Sequence, residues 1–493
     1  MKQAESENIA VRLENVSFQY QSANEPNISN INLSIPEGEF VVLTGGSGCG
    51  KTTVTRIING LAEKFYEGKL KGKVSVLRKS ISEYPLYEIG KSVGSIFQDP
   101  KSQFFASITE DEIAFGCENY GVSHEEMELR VSDAIGQING NALRGKEIYP
   151  MSSGEKQKIA VASVCAVNPK IYVFDEPSAN LDMYSVEALK DLMKKLKKDG
   201  HTIIVAEHRL YYLTELADKF YYMKKGCIEA VWTSSELLVL TDSDRKRYGL
   251  RAADIRLLQP DSNDNPGEKK SLTVQDLSFA YKKNVIFHNL SFQAFAGDLI
   301  AVVGHNGIGK TTLSHILCGI KKENSGKILF NGKEVAARKR KKSAYFVMQN
   351  TDCQIFGDSV LEELKLNSKN VAEEQLEDLL KLYGLYELKE QHPATLSGGQ
   401  KQRLTLAVSD RIDTSVLILD EPTSGLDYHN MEKISDHLKE LAKQGKTIFV
   451  ITHDYEFAAM ACNKVLFFED GDKVSMFPVK GNIEKLYDCF MKH

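Results

Sequence analysis

GGSGCGKTT, residues 45–53, follows directly on the apolar run FVVLTG (40–45). A buried strand entering a glycine-rich turn with the spacing GxxxxGK[ST] is a phosphate cradle. Gly45, Gly46, Gly48 and Gly50 let backbone N–H groups curl round phosphate oxygens, and Ser47 and Cys49 ride in the same loop. Lys51 brings positive charge to the outer phosphates and Thr52 an oxygen for Mg²⁺. Thr53 continues the helix whose positive N-terminus faces the same anion. Cys49 reads as a tolerated filler.

The cradle occurs twice. GHNGIGKTT (304–312) follows the apolar run LIAVVG (299–304) and supplies Gly304, His305, Asn306, Gly307, Ile308, Gly309, Lys310, Thr311 and Thr312. His305 reads as a solvent-facing loop residue. One glycine-rich match can be a chance turn; two, each after an apolar strand, cannot easily be.

Other strings repeat in step. VSFQY (16–20) returns as LSFAY (277–281), VFDEPSANLD (173–182) as ILDEPTSGLD (418–427), and AEH (206–208) as ITH (451–453). Ser152 to Asp175 is 23 residues, as is Ser397 to Asp420; Asp175 to His208 is 33, as is Asp420 to His453. Lys51 to Gln98 is 47 residues but Lys310 to Gln349 only 39, so the first copy carries an insertion there. So long a period means domain duplication and not a solenoid. The boundaries read as a first domain over 1–258, a polar, turn-rich linker over 259–270, and a second domain over 271–493.

Composition agrees. A chain of 493 residues exceeds one hydrophobic core, and 42% hydrophobic with 26% charged residues is the globular range. A net charge of -5 gives no reason to expect nucleic acid as a partner. The basic run ARKRKK (337–342) reads as a solvated face. Eight scattered cysteines, without metal-site spacing, read as reduced thiols of a cytosolic protein. No signal-peptide stretch opens MKQAESENIA, and no run reaches the roughly 20 apolar residues that span a bilayer. Any transport path must come from another chain.

KIYVFDE (170–176) and VLILDE (416–421) read as buried strands ending in carboxylates. Asp175 and Asp420 can hold Mg²⁺ through water, and Glu176 and Glu421 can polarise an attacking water. A lone DE pair is commonly a helix cap; a pair after a buried strand in both halves is not. TIIVAEH and TIFVITH form a third strand pair, and VEALKDLMKKLKKDG and MEKISDHLKELAKQG have helical period and stop at glycine. Alternating strands and helices imply an α/β fold with a mainly parallel sheet and ligand at the strands' carboxyl ends.

MSSGEKQ (151–157) and LSGGQKQ (396–402) place Ser-x-Gly ahead of a helix, an anion-binding helix N-terminus. With their spacing to the DE pairs they resemble the signature motif of ATP-binding-cassette proteins, and the resemblance covers nearly the whole chain. It implies two tandem P-loop ATP-binding-cassette domains, each a mainly parallel sheet core with a helical signature subdomain, using ATP and Mg²⁺. By that resemblance Ser152 and Gly154, and Ser397, Gly398, Gly399 and Gln400, meet the γ-phosphate held by the other domain. Tyr20 and Tyr281 match the aromatic that stacks on adenine. Gln98 and Gln349 match the Q-loop that senses Mg²⁺ and the membrane partner. Asp182 and Asp427 match the D-loop, and His208 and His453 the switch histidine. The two cassettes are expected to pair within one chain round two ATP molecules. The site on Lys310 then uses MSSGE, where Ser153 replaces glycine and Glu155 replaces glutamine. A carboxylate brought within about 6 Å of the triphosphate repels it by roughly 3 kcal/mol at an effective dielectric near 20. Slower turnover than at the Lys51 site is expected.

QDPKSQFF (98–105) and QNTDCQIF (349–356) carry a second glutamine, Gln103 or Gln354, and TEDEIAFG (109–116) follows in the first half. These strings resemble the ATPase subunits of energy-coupling-factor (ECF) importers of vitamins or transition-metal ions. That implies a peripheral ATPase on the cytoplasmic face of the membrane. Its partners would be an integral membrane coupling subunit and a membrane substrate-binding subunit. Phe104–Phe105 and Ile355–Phe356 would line the docking groove or, equally, pack in the helical core. Rival expectations are the fused ATPase of a sugar-type importer and a soluble translation factor of the same superfamily. The first commonly has a degenerate second P-loop and the second a long basic linker. A scaffold without turnover is disfavoured by the two glutamates.

Overall fold

The computed structural model of the chain describes residues 8–260, 269–282, 284–366, 371–412, 414–470 and 473–491. Most of the expected linker, 261–268, lies outside the described residues. The chain divides into two compact units, Met1–Leu257 with Gly425–Asn430, and Leu258–Ser424 with Met431–His493.

In the first unit a six-stranded sheet runs in the order Cys227–Trp232, Lys219–Lys224, Phe40–Gly45, Thr202–Ala206, Ile171–Asp175, Val93–Ile96. All neighbours are parallel except the first pair. FVVLTG and TIIVA are buried at every position, which is why they read as continuous apolar runs and not as alternating ones. The second unit repeats the order with Ala344–Val347, Val416–Asp420, Thr447–Ile451, Leu299–Val303, Lys464–Asp470 and Lys473–Pro478. In both, the strand before the glycine loop lies beside the strand ending at the histidine, and the strand ending in Asp-Glu is next. Three chemistries therefore emerge side by side at one sheet edge.

Each unit also has a four-stranded antiparallel sheet, centred on Ile9–Tyr20 in the first and Lys270–Tyr281 in the second. The period-2 burial of INLSIP announces it, but a parallel-sheet reading passed over it. The helical subdomain of the first unit consists of Thr109–Asn119, His124–Gln137 and Ser153–Val167. Val360–Leu366, Glu373–Leu382 and Gly398–Arg411 form that of the second. The eight cysteines are free thiols. Among the described residues no helix is long and apolar enough to cross a membrane.

One expectation needs correcting. The basic run 337–342 is not wholly solvated, because Arg340 is 2% exposed and pairs with both carboxylate oxygens of Glu323 at 2.7 Å. A guanidinium buried this far requires such a partner.

Candidate nucleotide site

The strand Phe40–Gly45 ends at Gly45, φ 142°, where a Cβ would stand 2.1 Å from Met223 O. Gly50, φ 106°, caps the helix Lys51–Ile58, and a Cβ there would meet Ile28 at 2.5 Å. Only glycine fits either position. Lys51 Nζ, 4% exposed with its residue, donates to Gly45 O (3.2 Å) and Gly46 O (3.3 Å). An ammonium already stripped of water and held by carbonyls can exchange them for phosphate oxygens. Lys310 Nζ is held likewise by Gly304 O and His305 O. His305 is exposed, as expected.

Thr52 Oγ1 donates to Asp175 Oδ1 at 3.1 Å. Burial, then the charge of Glu176, lift the Asp175 carboxyl to about 6 against the Thr52 hydroxyl and Lys51. In the second unit Thr311 Oγ1 donates to Asp420 Oδ2 at 3.3 Å, and burial lifts Asp420 to about 6. A hydroxyl beside a buried carboxylate, both hard oxygen donors, is the donor set Mg²⁺ takes, and a dication there would offset the burial.

Glu176 Oε2 accepts from Gln98 Nε2 at 2.8 Å, and Oε1 lies 3.4 Å from His208 Nε2. Burial pushes Glu176 up, but His208 and then Lys51 outweigh it and leave the carboxyl below its ordinary value. Thus Gln98, Glu176, His208 and Lys51 form one chain of contacts, and Thr52 with Asp175, their sequence neighbours, forms a second pair beside it. In the second unit Glu421 Oε2 accepts from His453 N (3.4 Å), and His453 Nε2 sits 3.0 Å from Asn306 Oδ1. Gln349 follows the strand Ala344–Val347 at the position matching Gln98. Glu176 and Glu421 both sit at positive φ, 46° and 49°, a backbone state costing a non-glycine residue about 1–2 kcal/mol.

Ser152 and Ser397 are N-caps, each closing a capping box with the residue three on. The Glu155 carboxylate is turned back on its own cap, where Oε2 accepts from Ser152 N (2.9 Å) and Ser152 Oγ (2.8 Å). Burial raises Glu155, yet these two bonds hold it below its ordinary value. It does not project outward as the sequence reading supposed, and Lys156 instead binds Tyr149 O and Met151 O. Gln400 Oε1 takes the Ser397 amide alike. Asp182 and Asp427 also cap, accepting from Ser185 N and Asn430 N at 2.8 Å. Arg56, on the helix that follows the glycine loop, donates to Tyr20 Oη at 3.0 Å and stacks 3.9 Å above the Tyr66 ring. Lys321 lies 4.0 Å over Tyr281.

The two expectations divide within each pair: Phe105 and Phe356 face solvent, 75% and 77% exposed, while Phe104 and Ile355 are half-buried and Phe104 packs against the core of the first unit. Gln103 and Gln354 instead brace their own loops, accepting from Phe97 N (3.3 Å) and Met348 N (3.0 Å). Sequence reading missed Glu112 and Glu363, both buried. Glu112 Oε2 takes the amides of Phe105 and Ala106, and Glu363 Oε2 those of Phe356 and Gly357. Their equal offset of nine residues from Gln103 and Gln354 was the available signal.

The sequence profile of the family described as ABC transporter matches residues 28–179 and 287–424, more than half of the chain. The chain belongs to the ABC transporter ATPase family. A protein of Treponema denticola named as an ABC transporter ATP-binding protein is 40% identical over 94% of this chain and 96% of its own. One of Methanosarcina mazei with the same name is 32% identical over 96% and 89%. Among solved structures, ribosome-bound archaeal Pelota and ABCE1 matches with a TM-score of 0.70, 20% identity, and coverage of 96% and 80%, a likeness of fold alone. This ABC ATPase therefore works on ATP with Mg²⁺.

Proposed function

We propose that this ABC ATPase energises an ECF-type importer of vitamins or transition-metal ions, docked on the cytoplasmic face of the membrane. An integral coupling subunit and a separate substrate-binding membrane subunit would complete the importer. The reading rests on the strings QDPKSQFF and QNTDCQIF, and one observation carries it. Phe105 and Phe356 hold an aromatic ring in solvent at matching positions while buried glutamates anchor their backbones. An exposed, backbone-anchored ring suits a partner's apolar helix.

In this proposal Lys51 and Lys310 exchange loop carbonyls for phosphate oxygens, and Glu176 and Glu421 orient and deprotonate the attacking water. His208 and His453 hold the γ-phosphate end in place. Thr52 with Asp175, and Thr311 with Asp420, would hold Mg²⁺, which screens the phosphate charge when bound. Ser152 and Ser397 each serve the nucleotide of the other cassette within the same chain.

Affinity purification of the tagged chain from detergent-solubilised membranes tests this. Recovery of an integral membrane protein with a second small membrane subunit is expected. Co-sedimentation with ribosomes would favour the translation-factor reading, and recovery with a paired sugar-type permease the fused sugar-importer reading.

A further inference from the structure

The residue before the first histidine has a place in neither the motif nor the mechanism above. Glu207 follows the strand Thr202–Ala206 and is 2% exposed. Its Oε1 accepts from His208 N (2.7 Å) and Arg209 N (3.2 Å). Its Oε2 accepts from Ser178 N (3.2 Å) and Tyr212 Oη (2.8 Å). Arg209 returns to the same segment, donating to Ser178 O and Leu181 O at 3.2 Å. One buried carboxylate thus ties the backbone of His208 to the backbone two residues past Glu176.

The second unit is wired differently. There the sequence reads Thr452-His453-Asp454, with the carboxylate after the histidine. Asp454 Oδ2 accepts from Thr423 Oγ1 (3.2 Å), the counterpart of Ser178, and Oδ1 from Phe457 N (3.2 Å). The His453 amide falls on Glu421 itself. In both units the glutamate also faces the histidine ring, Glu176 Oε1 at 3.4 Å and Glu421 Oε1 at 3.6 Å, but in the first unit Glu207 takes the histidine amide and leaves Glu176 Oε2 to Gln98.

We infer that Glu207 is a positioning residue for hydrolysis at the first site, setting the spacing of His208 and Glu176. Glutamine cannot replace it, since either orientation of the amide points an NH₂ group at a buried backbone N–H. The inference rests on Glu176 being the residue that activates water.

The test uses the full chain carrying Glu421→Gln, so that turnover reports the first site. Glu207→Gln and Glu207→Thr are each expected to lower kcat about tenfold or more, with KM changed less than about threefold. The exchange Glu207→Thr/Arg209→Asp rebuilds the order of the second unit, with Ser178 offering a hydroxyl as Thr423 does. It is expected to restore kcat to within about threefold of the parent. A kcat for Glu207→Gln within twofold of the parent would overturn the inference. So would a KM that rises in step with the fall in kcat, or an exchange variant no faster than Glu207→Thr. Parent-like turnover in Glu176→Gln would overturn it at its root, and would be told apart by that variant alone.

Discussion

Lys51 Nζ lies 3.2 Å from His208 Nε2, and the same ring nitrogen lies 3.4 Å from Glu176 Oε1. Facing the ammonium, Nε2 must offer its lone pair; facing the carboxylate, it must carry a proton. It serves one at a time. In the proposed mechanism a phosphate that drew Lys51 away would leave Nε2 to Glu176, and would so couple nucleotide arrival to the arrangement of that carboxylate. In the second unit His453 Nε2 likewise lies near its glutamate, 3.6 Å from Glu421 Oε1, and also meets Asn306 Oδ1 at 3.0 Å.

The two sites should turn over unequally. Glu176→Gln is expected to remove more steady-state ATPase activity than Glu421→Gln, with nucleotide occupancy kept in both. The physical reason differs from like-charge repulsion. Ser152 Oγ is engaged by the Glu155 carboxylate and must leave it to serve a phosphate. Glu155→Gln in the Glu176→Gln chain should accordingly raise turnover by about tenfold, the worth of one charged hydrogen bond. Equal damage from the two glutamate variants would refute the assignment.

Phe105→Glu and Phe356→Glu should fold like the parent and keep isolated ATPase activity, because both rings are in solvent. Pull-down of the membrane partner should fall for each. A lowered melting temperature with lost activity would restore the core-packing alternative.

Arg340→Met strands Glu323 without its bidentate partner and should cost about 3 kcal/mol, read by denaturant unfolding. Burial raises the Glu323 carboxyl, but Arg340 holds it below its ordinary value. A depressed carboxyl stabilises fully above its unfolded pKa and loses that contribution as pH falls through the folded one. The gap between Glu323→Gln and parent should thus be widest near neutral pH and shrink below about pH 4.

Pairing of the cassettes within one chain predicts no doubling of mass. A Glu176→Gln/Glu421→Gln chain with ATP should scatter light as a single 55.1 kDa chain. An ATP-dependent dimer of whole chains would refute the pairing.

Much of the site was legible because it is local. Gly45, Gly50 and Lys51 follow one another, and backbone geometry alone dictates the residue types. The strands that end at Asp175 and Asp420 announced themselves as unbroken apolar runs. Partners distant in sequence were not legible. TEDEIAFG alone does not say that Glu112 turns inward while Glu110 takes the amide of Gly145; only the offset it shares with Glu363 points to it. Glu155 looked like an outward charge because it was compared with the glutamine it replaces, although Ser152-x-x-Glu155 is the spacing of a capping box. AEHR beside ITHD did carry a visible signal, the acid moving across the histidine, but its meaning needed Ser178 and Tyr212 in place.

The left-handed backbone of Glu176 and Glu421 sets heat resistance against turnover at those two positions. Glycine there would relieve the strain and raise the melting temperature while abolishing the carboxylate. A library of this chain selected only for surviving heat would drift towards silent enzymes, and would do so at these positions first.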